Sequence, residues 1–166
     1  MKTLVALLSS LAILAATADE EEGTFRGAYV GASGAIVLPQ GGSRVDRAGG
    51  GLVRAGAYLS DEWAVEFSAG RLERYTALGA GLLVHFSAIE TYDKLFGYSS
   101  FDPFLTAGAY GLLDDRRGQV GPSAGLGAFW HLDDNWSVRV DAAATLGLDT
   151  DVEMLYTVSV GIQYAF

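Results

Sequence analysis

His85 and Ser87 are the pair in this chain whose types and spacing could do chemistry. Two residues apart on an extended strand, they share one face, so the imidazole could serve as base to the hydroxyl in acyl transfer once a carboxylate orients the ring. Glu66 and Glu90 are the acids that could do so. The other histidine, His131, follows Trp130 and is read as isolated; without a third ligand at a recognisable spacing, two histidines make no metal site. Gly79-Ala80-Gly81 and Gly125-Leu126-Gly127 lack the strand-turn-helix setting that a dinucleotide loop requires. No metal and no cofactor are therefore expected. A second constellation is ionic. Arg54, Glu66, Arg139 and Asp141 each stand on the small or polar phase of an otherwise apolar alternation, so a fold that puts that phase inside would bring all four together.

The elements that must position them are strands. The last eleven residues put Tyr156, Val158, Val160, Ile162, Tyr164 and Phe166 on one phase, with Thr157, Ser159, Gly161, Gln163 and Ala165 on the other, a period of two. The same reading yields eight segments, roughly 26–38, 48–60, 63–71, 76–88, 102–113, 120–132, 136–147 and 153–166. No segment after the first twenty residues is apolar for long enough to cross a bilayer as a helix, so any insertion must be as a closed barrel. Parity turns Trp63, Val65, Phe67, Val138, Val140, Val160 and Ile162 toward lipid, and turns Arg54, Tyr58, Glu66, Leu83, His85, Arg139, Asp141 and Gln163 inward. Charges facing lipid would cost about 2–4 kcal/mol each near the midplane, which favours the inward assignment.

Short polar connections alternate with the strands. Leu59-Ser60-Asp61-Glu62-Trp63 and Leu132-Asp133-Asp134-Asn135-Trp136 are near copies, each a turn that opens a strand on tryptophan. Outer loops are expected at Pro39 to Arg47, Arg71 to Thr76, Asp114 to Gln119 and Leu148 to Val152. The stretch from Ile89 to Phe101 is longer, and its aromatic residues suit an ordered loop or a short surface helix.

The ends and the composition set the address. Lys2, the apolar run Leu4 to Ala16 and the Ala16-Thr17-Ala18 site form a secretory signal peptide over 1–18, followed by a short acidic segment at 19–25 and a barrel over 26–166. The chain has no cysteine, so a lipid-anchoring lipobox, a disulfide and a thiolate metal site are all excluded. It has 22 glycines, and the excess over average usage lies within the alternating segments, as small inward positions would require; a net charge of -9 argues against a nucleic-acid partner.

Gly27-Ala28-Tyr29-Val30-Gly31, the Leu-Ser-Asp-Glu-Trp turn, Asp102-Pro103-Phe104-Leu105-Thr106-Ala107-Gly108-Ala109-Tyr110, Asp134-Asn135-Trp136-Ser137 and the terminal Phe166 together resemble the small outer-membrane β-barrel superfamily that includes the OmpA membrane domain and OmpX. The resemblance implies an all-β, eight-stranded antiparallel transmembrane barrel with up-and-down topology. It implies an aromatic girdle containing Trp63, Trp136 and Tyr164, an assembly signal at Phe166, and a lumen ion-pair network of Arg54, Glu66, Arg139 and Asp141. Its implied partners are outer-membrane lipids and, during biogenesis, the barrel-assembly machinery, with the barrel a monomer. With the chain ending at Phe166, no peptidoglycan-binding domain is expected. Within such barrels the His-x-Ser spacing is similar to that of lipid A deacylases, but Ala88 stands where those enzymes carry asparagine, and parity puts His85 and Ser87 inside, away from a lipid substrate. The expected function is a non-enzymatic structural or surface-interaction barrel of the cell envelope with a side-chain-filled lumen. A small-solute or hydrophobic-ligand channel and a lipid A esterase are the alternatives.

Overall fold

The computed structural model describes residues 27–40, 45–86, 101–114, 118–148 and 154–166. The expected signal peptide at 1–18, the acidic segment at 19–25, Ser87, Ala88, Glu90 and most of the Ile89 to Phe101 connection lie outside the described residues. The strands in chain order are β1 (Ala28–Pro39), β2 (Ala48–Tyr58), β3 (Trp63–Leu72), β4 (Tyr75–His85), β5 (Phe101–Leu113), β6 (Gly118–His131), β7 (Trp136–Leu146) and β8 (Met154–Ala165). Each pairs with the next in sequence, and β1 also pairs antiparallel with β8, from Tyr29↔Ala165 to Pro39↔Leu155. The result is a closed barrel with no free edge. An even meander leaves Gly27 and Phe166 at one rim, with the turns 59–62 and 132–135; this is the terminal rim, and the opposite one is the loop rim.

Alternation decides what each face buries. Along β8, Leu155, Thr157, Ser159 and Gln163 are buried in the lumen while Tyr156, Val158, Val160 and Ile162 are exposed on the outside. Large apolar side chains are exposed on every strand, among them Val30, Val53, Phe67, Leu82, Leu105, Leu126 and Val140. An apolar coat of this extent would be untenable in water and is what a bilayer solvates. The lumen holds two apolar plugs. Tyr29, Tyr58, Leu83, Phe104 and Phe129 fill the terminal end, and Val37, Leu52, Leu72, Tyr75, Leu112 and Leu155 fill the loop end.

Several boundaries differ from expectation. β2 and β4 stop at Tyr58 and His85, short of 60 and 88, whereas Pro39 belongs to β1 and Gly118 and Gln119 belong to β6. The expected loop Arg71 to Thr76 shrinks to the two-residue turn Glu73–Arg74, because Leu72 and Tyr75 are fully buried and extend the pairing to Leu72↔Tyr75. Glu73 has φ 49°, the left-handed conformation that a tight hairpin turn demands and that glycine usually supplies. Its carboxylate accepts the Gly49 N–H at 3.2 Å.

Candidate functional site

The centre of the lumen is polar, and its register explains why. Arg54 and Glu66 sit on neighbouring strands, offset by one inward position, since Gly56 is the rung partner of Glu66. Gly56 matters sterically: an added Cβ would run into the Tyr29 ring, so the glycine lets that ring lie flat against β2. Tyr29 thereby donates its hydroxyl hydrogen to Glu66 at 2.8 Å.

Arg139 and Asp141 come from β7, on the far side of the barrel. Arg54 Nε lies 3.5 Å from Glu66 Oε1, and Arg54 Nη2 lies 3.3 Å from Asp141 Oδ1. Arg139 Nε donates to Asp141 Oδ1 at 2.7 Å, and Arg139 Nη1 to Glu66 Oε2. Ser33 and Ser159 complete the group. Both accept from Arg54, Ser159 at 2.8 Å, and Ser159 donates to Asp141 at 2.9 Å. The structure thus brings together all four charges read from the sequence, two of each sign, each bonded to two or more partners. Charges so held offset their desolvation, whereas an unpaired one would not. The Arg139 guanidinium also stacks 4.8 Å from the Phe104 ring centroid and 5.2 Å from that of Phe129, tying the ionic centre to the terminal plug. Sequence reasoning missed Tyr29, Ser33 and Ser159; each lies on the inward phase of a strand beside the charges, and that phase was the available signal.

Around the charges is a cavity of about 80 Å³, bounded also by Tyr110, Ser123, Thr145 and Thr157. The Tyr110 hydroxyl and Thr157 Oγ1 are buried there without a hydrogen-bond partner among the described residues.

The histidines correct the sequence reading in two respects. His85 faces the lumen, fully buried, with Nδ1 2.7 Å from Asp102 Oδ2, so its carboxylate partner among the described residues is Asp102 and not Glu66, while Glu90 lies outside them. His131 is not isolated: its Nε2 is 3.9 Å from the same Asp102 oxygen, and its Nδ1 is 2.7 Å from Ser137 Oγ. The two rings flank Phe129, stacked at 5.7 and 6.4 Å. Among the described residues no three His, Cys, Asp or Glu side chains form a group that could hold a metal.

At the terminal rim, Trp63 and Trp136 are exposed on the outer face, and Tyr164 packs edge-on between Trp136 at 5.0 Å and Phe166 at 5.3 Å. Trp130, which the sequence reading left out, joins this side with Phe101 at 6.3 Å. The two similar turns have matching geometry. Ser60 Oγ accepts from the N–H groups of Glu62 and Trp63, and Asp133 Oδ1 accepts from those of Asn135 at 2.9 Å and Trp136 at 2.7 Å. The donated bonds, from Trp136 most and then Asn135, hold the Asp133 carboxyl below its usual range. At the loop rim Arg74 reaches Asp46 at 2.6 Å and Asp114 at 3.3 Å, bridging three connections.

No family model matches the chain, and no curated protein matches it in sequence. Solved structures do match in fold. The chain is similar to Neisserial surface protein A, with a TM-score of 0.60 and 14% identity over 84% of this chain and 97% of that one. The N-terminal β-barrel domain of Pseudomonas aeruginosa OprF gives 0.55 and 14% over 83% and 97%, and Ail, the attachment invasion locus protein of Yersinia pestis, gives 0.53 and 14% over 84% and 96%. At such identities the likeness carries the fold: this is a closed, eight-stranded, all-antiparallel barrel of the kind found among small outer-membrane proteins.

Proposed function

We propose that this chain is a non-enzymatic barrel of the bacterial outer membrane, acting through its wall and rims in envelope structure or surface binding, not by passing solutes along its axis. The observation that carries this reading is the filled lumen: apolar plugs at both ends and a closed set of four paired charges between them. The apolar coat and the aromatic cluster at the terminal rim support membrane insertion, with Trp63, Trp136 and Tyr164 as interfacial anchors. Ail's description as an attachment protein is the kind of role meant, without its particular partner. The chain's own partners are then outer-membrane lipids and, during biogenesis, the assembly machinery, which reads the strand ending in Phe166; the barrel works as a monomer. No reaction is assigned, since His85 is fully buried among Tyr58, Phe104 and Phe129 in the lumen, away from a lipid substrate.

Expression with the natural leader in a Gram-negative host, followed by fractionation, tests the reading. Recovery in the outer membrane as a band that migrates faster unheated than boiled is expected, with lower yield for Phe166→Asp. Recovery in the cytosol or inner membrane would overturn it.

A further inference from the structure

We propose that the barrel wall has a lateral gate between β6 and β7 at the loop rim. The two strands run on to Gly118 and Leu146, but their common ladder ends at Ser123↔Thr145. On their other edges both remain paired to the end, β6 with β5 as far as Leu113↔Gly118 and β7 with β8 as far as Leu146↔Met154. Beyond that rung Gly118 to Pro122 of β6 are laddered to β5 alone, although the Leu148 N–H past the end of β7 still reaches the Val120 carbonyl.

Pro122 is the cause. The Val120 carbonyl accepts the Leu148 N–H at 3.3 Å, so Val120 turns its main chain toward β7 and, two residues on, Pro122 does the same. The next rung would need an N–H at Pro122 to meet the Leu146 carbonyl, and proline has none. That carbonyl is close at hand, since a Cβ added to Gly121 would collide with it. In apolar surroundings an unmade backbone bond is costly, so a wall broken here is weakest here.

What lies behind the seam gives the break a consequence. The last rung, Ser123 and Thr145, bounds the cavity of about 80 Å³ that also touches Arg54, Asp141, Tyr110 and Thr157. The Gln119 amide packs against Gly147 and closes the gap from within. Parting of the seam would join this cavity sideways to the loop-rim boundary of the bilayer while both axial plugs stayed in place. Balanced charges and a hydroxyl lining fit water and small neutral polar molecules, and disfavour ions. The inference rests on the barrel's hydrogen bonding and not on the surface role proposed above.

Hydrogen exchange on the full barrel in lipid nanodiscs tests it. In the unsubstituted protein the Val120, Leu146 and Leu148 amides should exchange about tenfold or more faster than Leu38 and Tyr156, whose N–H groups lie at the same rim in the β1–β8 seam. Pro122 is exposed on the outer face, so Pro122→Val or Pro122→Ala supplies the missing N–H without crowding the lumen and should slow that exchange toward parity. Equal protection of the two seams in the unsubstituted barrel would overturn the gate, as would exchange left unchanged by both substitutions. Should neither variant fold, the comparison of the two seams still decides.

Discussion

Arg54 on β2 and Asp141 on β7 meet across the lumen at 3.3 Å, although 87 residues separate them in the chain. A contact of that span acts as a crossbar, because breaking it frees two charges in a space that can solvate neither. Arg139→Ala removes a partner from both Asp141 and Glu66 and should cost about 3–5 kcal/mol. The fall in the temperature at which the folded, faster-migrating gel band disappears measures this. Arg139→Met combined with Glu66→Gln should cost less than the sum of the two single changes; strict additivity would mean the charges are not coupled.

The lipid face gives a second expectation. Val140 is exposed on β7, and Val140→Arg should destabilise by about 2–4 kcal/mol if it lies near the bilayer midplane. Asp134→Arg in the exposed turn is the control and should leave the unfolding midpoint almost unchanged. Equal tolerance of the two would show that the outer face does not meet acyl chains.

How much of this was legible in the chain follows from what constrains each feature. Strand count and facing were legible because a charge such as Glu66 or Arg139 between apolar neighbours has one tolerable direction in a membrane barrel. The paired turns were legible because Ser60 and Asp133 are both short acceptors one residue after leucine, able to bond the N–H groups that follow. The His85–Asp102 pair was not, because β4 and β5 are joined by a long connection whose length sets no register, and Asp102, second in its strand, carries no local mark of its partner. The break at Pro122 was also hidden: proline is tolerated wherever its missing N–H falls, and only the register with Leu146 shows that it falls on a rung.

Gly56 offers a steric prediction. Gly56→Ala would push a methyl group into the space of the Tyr29 ring, disturbing the Tyr29–Glu66 bond, and overpacking of this kind costs about 1–3 kcal/mol. Adding Tyr29→Leu should recover part of the loss, since a smaller side chain leaves room for the methyl. Urea titration of the refolded barrel measures both; a neutral Gly56→Ala would mean that Tyr29 lies elsewhere.

Acid should weaken one turn in a defined direction. The folded Asp133 carboxyl lies below its ordinary value of 3.8, so its contribution is fully present above that value and is lost as pH falls through the lower folded value. Asp133→Asn should therefore unfold at a lower temperature than the unsubstituted barrel at pH 7, and the gap should narrow as the pH falls below 3.8. A gap independent of pH would assign the difference to something other than the carboxylate.

The filled lumen is the central claim, and single-channel recording in a planar bilayer tests it most directly. Purified, refolded, unsubstituted protein should give no stable stepwise conductance, since the plugs around Tyr58 and Phe104 at one end and Leu72 and Tyr75 at the other leave ions no axial path past the paired Arg54, Glu66, Arg139 and Asp141. Reproducible, long-lived conductance steps from that protein would contradict the account and make the barrel a channel.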